Sequence, residues 1–227
     1  MNEPTPKLIF FPGLGADHRL FAPQRTAFPD LWVPPWIPPH RGESLASYAD
    51  RLAETLPRGE PLVLGGVSLG GMIAFEIARI VRPQAVILIA SCRNRRGIRP
   101  AFRGGKILWP FVPKKIFSLA KLVARPALRI FGQTSPADQK LLIDMFREMD
   151  DAFMHWAVSA ILRWNPPPLD GVPLFHLHGR RDRVIPARRV EPDAWIPNGG
   201  HLINVTHAKE VNEFIQRAIR QISVASS

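Results

Sequence analysis

The stretch LVLGGVSLGGMIAFEIARIV, residues 62–81, runs from one apolar segment through four glycines and a serine straight into another. The first segment, Pro61–Gly65, has the length and bounding turn residues of a short buried strand. The second, Ser68–Val81, is apolar nearly all round a helix, so it is expected to lie deep in the molecule. Nothing is left over for a loop between them. A strand that becomes a helix within one residue strains the backbone at the turn, and side chains at the flanking positions would clash. The glycines around Ser68 remove those clashes. A strand-turn-helix unit of this kind belongs in a sheet covered by helices.

The rest of the chain repeats the theme. KLIFF (Lys7–Phe11), DLWV (Asp30–Val33), AVILIA (Ala85–Ala90), VPLFHLHG (Val172–Gly179) and DAWIP (Asp193–Pro197) each suit a short buried strand, giving about six in all. Glu43–Leu56 places Leu45, Tyr48, Ala49, Leu52 and Leu56 on one helical face with Ser44 as a cap, and Val205–Ile222 is an amphipathic closing helix. Strands alternating with helices predict an α/β fold, a mostly parallel sheet with helices on both faces. The alternation fails from Ser91 to Pro166. That stretch reads as helical with prolines at its joints, so residues 1–91 and 166–227 are expected to form the core and 92–165 a helical insertion. With 227 residues the chain can bury a sizeable single core. A single cysteine, Cys92, excludes a disulfide framework and a cysteine-based zinc site, and is expected to be a small buried residue. No run is long enough for a signal peptide or a membrane span, which leads to the expectation of a soluble cytoplasmic protein.

Gly66-Val67-Ser68-Leu69-Gly70 matches G-x-S-x-G, in which a serine on a sharp strand-to-helix turn presents its hydroxyl at the edge of a sheet. The competing reading is a passive serine in a glycine-rich bend. A serine hydroxyl needs a base to take its proton and a carboxylate to orient that base. His201 follows the last strand in IPNGGHLIN, and Asp182 follows the preceding one in HLHGRRDRVIP. Asp193 and Glu191 are weaker rivals, because they stand at the start of the next strand. The order Ser68, Asp182, His201 is the one such a sheet requires. An oxyanion would be held by the backbone N–H of Leu69 and, from the loop after the first strand, by that of Leu14 beyond Gly13. The competing reading of that loop is a plain strand-to-helix turn.

Through PGLGADHRLF, GGVSLGGMIA, HLHGRRDRVIP and GGHLIN, in that order, the sequence resembles the α/β-hydrolase superfamily over nearly its whole length. The resemblance implies that Ser68 is the nucleophile, Asp182 the acid and His201 the base, with no metal or cofactor. Three departures stand out. The oxyanion loop reads Pro12-Gly13 where many members have His-Gly, the first two antiparallel strands of larger members are not expected, and only 18 residues separate Asp182 from His201. The last spacing leaves room for a short helix or none between the final two strands. A serine nucleophile points to a small-molecule acyl substrate: a carboxylic ester, thioester or lactone. Lyases and cofactor-free oxygenases of the same fold share a similar triad. A different class of reading is a non-catalytic binding protein built on this scaffold.

In the family an insertion at this position forms a lid. Here it is strongly basic: from Arg93 to Arg129 there are eleven Lys and Arg and no acid, in a chain of formal net charge +11. Lys114–Arg129 fits an amphipathic helix with Ile116, Leu119, Leu122 and Val123 toward the sheet or acyl pocket. Three uses compete: a solvated face, a dock for an acidic partner such as an acyl carrier protein, and attachment to anionic lipid. Nucleic acid is not expected, since no binding motif accompanies the charge. Trp109, Phe111, Phe117, Phe131, Phe153, Trp156 and Trp164 are expected to pack the insertion onto the core, some of them around the acyl pocket.

Overall fold

The computed structural model describes residues 6–99, 108–109, 112–113, 115–122, 131–132 and 134–226. Its strands β1 (Lys7–Phe11), β2 (Leu62–Val67), β3 (Ala85–Ile89), β4 (Leu174–Gly179) and β5 (Ala194–Ile196) form one sheet in that order, parallel throughout. Among the described residues there are five strands rather than six, because Asp30–Val33 contributes only an isolated bridge between Trp32 and Ile9 on the outer side of β1. Trp32 exchanges two backbone hydrogen bonds with β1, to Leu8 and from Phe10. Pro34 and Pro35 then follow at once, and without N–H groups they cannot continue a ladder.

Helices α1 (Ala22–Ala27), α2 (Leu45–Ala53), α3 (Leu69–Val81), α4 (Ile116–Leu122), α5 (Pro136–Glu148), α6 (Asp151–Arg163), α7 (Ile203–Thr206) and α8 (Ala208–Ser226) complete the described elements. Side chains alternate across the strands and define two cores. Ile9, Phe11, Leu64, Val86 and Leu88 face α2, α3 and α6, whereas Phe10, Val63, Ile87 and Ile89 face α7 and α8. Helices therefore cover both faces, and α3 is buried along Leu69–Ala78. Each aliphatic side chain withdrawn from water there contributes roughly 1.5–3 kcal/mol. Ser44 caps α2 by accepting from Ser47 N at 3.1 Å. The closing helix is broken at His207, which ends α7 before α8 begins. Between β4 and β5 there is only a 3-10 turn, Ala187–Arg189. No described helix is long and apolar enough to cross a membrane.

The insertion docks through its aromatic residues. Trp156 donates to the Glu43 carbonyl at 2.9 Å, Trp164 donates to Glu76 Oε1 of α3 at 2.6 Å, and Phe153 packs against Trp36, Tyr48 and Trp156. Burial raises the Glu76 carboxyl above its ordinary range, against the opposing effect of the Trp164 hydrogen bond. Of the helix expected over Lys114–Arg129, only 115–122 lies among the described residues; Lys114 and Val123 fall outside them, as does Phe111 before the helix. Ile116 and Leu119 do not face the sheet: they are 44% and 64% exposed. Phe117, Ala120 and Lys121 are its less exposed residues instead; Lys121 binds the Met149 carbonyl and Asp151, and the exposed Ser118 bonds to Asp151. These partners occupy the junction of α5 and α6.

Candidate active site

The chain steps outward from β1 to Trp32, then crosses back over β1 to reach β2 and moves on to β3. The direction of winding thus reverses between β1 and β2. In open parallel sheets the crevice beyond the C-terminal ends of two such strands is where ligands bind. Gly13 follows β1 and Ser68 follows β2, and a side chain on Gly13 would come within 3.6 Å of the Ser68 Cβ.

Ser68 occupies the N-cap of α3 but does not behave as a cap. Its φ and ψ are 55° and −117°, and its side chain makes no bond to its own helix. Serine at an N-cap ordinarily has extended backbone and accepts a hydrogen bond from the first turn. Here the backbone is strained and the hydroxyl bonds nothing in the first turn, which argues against a passive capping role. The turn is enforced by close packing. A Cβ on Gly66 would collide with the backbone of Gly70, and a Cβ on Gly70 would be driven into the Phe11 carbonyl oxygen. Ser68 N donates to the Ile89 carbonyl at 3.1 Å, and Ser91 Oγ donates to the Ser68 carbonyl at 2.7 Å. Leu69 opens α3, so its N–H belongs to the first-turn amides that have no partner within the helix. Leu14 is half-buried against the core in the loop beside Gly13.

Asp182 and His201 meet directly. His201 Nδ1 donates to Asp182 Oδ2 at 2.7 Å, and both side chains are buried. Asp182 Oδ1 accepts from Val184 N at 2.8 Å and from Ile185 N at 2.9 Å, so the 180–185 turn folds around its own carboxylate. Burial works to raise the Asp182 pKa, but His201 and His178 outweigh it and hold the carboxyl well below the usual carboxylate range. Of the rivals, Asp193 is engaged elsewhere, accepting from His176 N at 2.6 Å, and Glu191 is exposed. With Nδ1 on a carboxylate, an imidazole keeps Nε2 to take up a proton. Ser68, Asp182 and His201 share the C-terminal edge of the sheet; among the described residues no hydrogen bond joins Ser68 to His201. Beside the His201 loop opens a cavity of about 730 Å³, whose walls include Phe131, Arg181, Arg183, Asn198 and His207.

Sequence reasoning passed over His178, although it stands in the same HLHG motif. It is fully buried, with Nε2 at 2.9 Å from the Ile185 carbonyl and 3.3 Å from Asp182 Oδ2. An available signal was its place in β4: it precedes the acid by four residues, in a strand otherwise built of apolar side chains, glycine and His176.

A parallel sheet with a serine elbow after one strand and a hydrogen-bonded Asp–His pair after the last two defines a class, the α/β hydrolases. A model of the alpha/beta hydrolase family matches residues 6–214, and the chain belongs to that family. Solved structures agree on the fold. MenH from S. aureus superposes with a TM-score of 0.77 at 17% identity, covering 97% of this chain and 95% of that one. A thermophilic esterase from Thermogutta terrifontis gives 0.71 at 19% identity, with 97% and 91% covered. ClbQ from the colibactin NRPS/PKS pathway gives 0.66 at 15% identity, with 96% and 98% covered. No curated protein matches the sequence.

Proposed function

We propose that the protein is a serine hydrolase acting on a carboxylic ester or a related acyl substrate through Ser68, His201 and Asp182. The observation that carries this reading is Ser68 itself: its backbone is strained and its side chain is not spent on capping, at the sheet edge that also holds the Asp182–His201 pair. Ser68 Oγ attacks the acyl carbonyl while His201 Nε2 takes its proton, and the imidazolium is stabilised by Asp182. The tetrahedral oxyanion is held by the N–H groups of Leu69 and Leu14. His201 then returns the proton to the leaving group, and water repeats the sequence to release the acid. Hydrogen bonds between nucleophile and base are often long before substrate binds, and they tighten in the complex. The helices between β3 and β4 act as the lid. Several structural neighbours being esterases supports an ester as substrate.

The test is covalent labelling of the purified protein by a fluorophosphonate, followed by turnover of short-chain, long-chain, lactone and thioester substrates. One label per chain is expected, with labelling and turnover both lost in Ser68→Ala. A wild-type protein that neither labels nor hydrolyses any of them would overturn the enzyme in favour of a binding scaffold.

A second reading concerns the leaving group. Arg93 donates to the Glu191 carbonyl, Arg99 to the Arg183 carbonyl and Arg189 to the Arg96 carbonyl. Arg93 also lies 4.0 Å from the Asp193 carboxylate, but the bonds of Arg99 and Arg189 to neutral carbonyls leave their charges uncompensated, so the loops after β3 and β4 present a positive face beside the acid turn. An acyl group delivered on an acidic carrier fits that face. Arg95→Ala with Arg96→Ala leaves the three carbonyl ties in place, so it should raise KM for a carrier-bound acyl ester and not for the free ester. Equal KM shifts for both substrates would remove the carrier.

A further inference from the structure

Asp182 Oδ2 is shared by two imidazoles. His201 Nδ1 approaches it at 2.7 Å from the loop after β5, and His178 Nε2 at 3.3 Å from β4. The protonation of His178 follows from its neighbours. The Ile185 carbonyl 2.9 Å from Nε2 can only accept, so Nε2 carries the proton. Nδ1 of the same ring is then an acceptor, and it takes the Nε2–H of His176 at 3.3 Å. That leaves His176 Nδ1 bare, and it is buried without a hydrogen-bond partner. His178 is thereby set as the tautomer whose N–H points between the Ile185 carbonyl and the carboxylate. Its ring is wedged edge-on between His176, at 5.3 Å between centroids, and Trp195 of β5, at 6.0 Å. It has no freedom to turn away.

We propose that His178 is a positioning residue for the acid-base pair: its Nε2–H is a second donor to Asp182 Oδ2 and aims that oxygen at His201 Nδ1. The inference rests on the triad reading given above. The backbone amides of Val184 and Ile185 hold only Oδ1, so they leave the carboxylate free to swing about that oxygen. His178 supplies the restraint on the other oxygen, from a rigid strand instead of a loop. A buried histidine that merely filled space would be replaceable by phenylalanine with little loss; one that shares the carboxylate's charge would not. The groups facing it are Asp182 and His201 from the following loops and His176 from its own strand, with Arg93 acting on His176 from the loop after β3.

The experiment compares His178→Phe, which keeps the bulk and removes the donor, with His178→Gln, whose amide N–H restores a donor at a similar reach. Two quantities are read: the low-field proton resonance of His201 Nδ1–H, and the pH dependence of kcat/KM. Without His178 the carboxylate charge is less shared and holds the His201 imidazolium more strongly, so the acid limb should move up by about half a pH unit. We expect His178→Phe to move the resonance, shift that limb and lower kcat about tenfold at little changed KM, with His178→Gln recovering most of each effect. A His178→Phe protein that melts like wild type with resonance and acid limb unmoved overturns the proposal. Should that variant fail to fold, His178→Asn, whose amide falls short of Oδ2, is read in the same way. The resonance requires no turnover. A protein that shows it but never labels with the fluorophosphonate refutes the triad reading and leaves the positioning contact to be judged by itself.

Discussion

The two halves of the proposed site are held by different means. Around Ser68 the backbone does everything: Gly66 and Gly70 let β2, α3 and the loop after β1 approach so closely that no side chain fits between them. Around His201 a single side-chain carboxylate gathers the contacts: it accepts from two backbone amides and from His201, with the His178 imidazole 3.3 Å away, and removing any one of these leaves the others in place. Steric exclusion is all-or-none, whereas a hydrogen-bonded cluster degrades in steps. The first should fail by unfolding and the second by losing rate.

Asp182→Asn tests the second half where its effect is greatest. The amide cannot balance an imidazolium and favours the wrong tautomer of His201, so kcat should fall about 10³- to 10⁴-fold with the fold intact. A loss under tenfold would show that Asp182 does not orient the base. Gly70→Ala tests the first half. Alanine is ordinarily the better helix former by about 1 kcal/mol, but here its methyl group would meet the Phe11 carbonyl oxygen. Denaturant unfolding should show a loss of roughly 2–4 kcal/mol, and a neutral result would break the contrast.

The buried histidines make stability depend on pH. Burial is the largest cause that depresses the His176 pKa to about 3, with the Arg93 charge adding to it. In the unfolded chain the group titrates near 6.5. Between those values the unfolded state binds the extra proton, so stability falls as pH is lowered from about 6.5 toward 3, at up to about 1.4 kcal/mol per unit. Asp182 behaves oppositely in sign of charge and acts later: its contribution is full above the ordinary carboxylate range and is lost only at more acidic pH. Urea midpoints at pH 7 and pH 4.5 should therefore differ less in His176→Phe than in wild type. Equal differences would mean that His176 is not held neutral. The smallest effect belongs to Arg99→Ala. One tie between an arginine and the Arg183 carbonyl is lost at a partly exposed site, costing about 1 kcal/mol or less in the same unfolding assay.

This contrast also explains what could be read beforehand. The elbow was legible because close approach demands glycine, and glycine spacing is written in the sequence. Asp182 and His201 were legible because each follows a strand, and the parallel order brings those strand ends to one edge. His178 was not, since nothing local distinguishes a histidine that shares a carboxylate from one that fills a core. The missing sixth strand follows from Pro34 and Pro35, whose effect on ladder pairing outweighs the apolar pattern of Asp30–Val33. The outward-facing Ile116 and Leu119 arose from tertiary bonds of Ser118 and Lys121 to Asp151, some thirty residues away. A helical period gives the angle between faces and leaves open which face turns inward.

The parallel pairing of β3 with β4 sets a schedule for the nascent chain. Val86 has to find Leu174, 88 residues later, so at about 5–20 residues per second several seconds of synthesis separate the two strands. The elbow and the first three strands emerge first, with one sheet edge still open and its backbone groups unpaired. On this timetable the proposed nucleophile exists long before Asp182 and His201, and on the triad reading the chain would acquire its chemistry only when its last strand is in place.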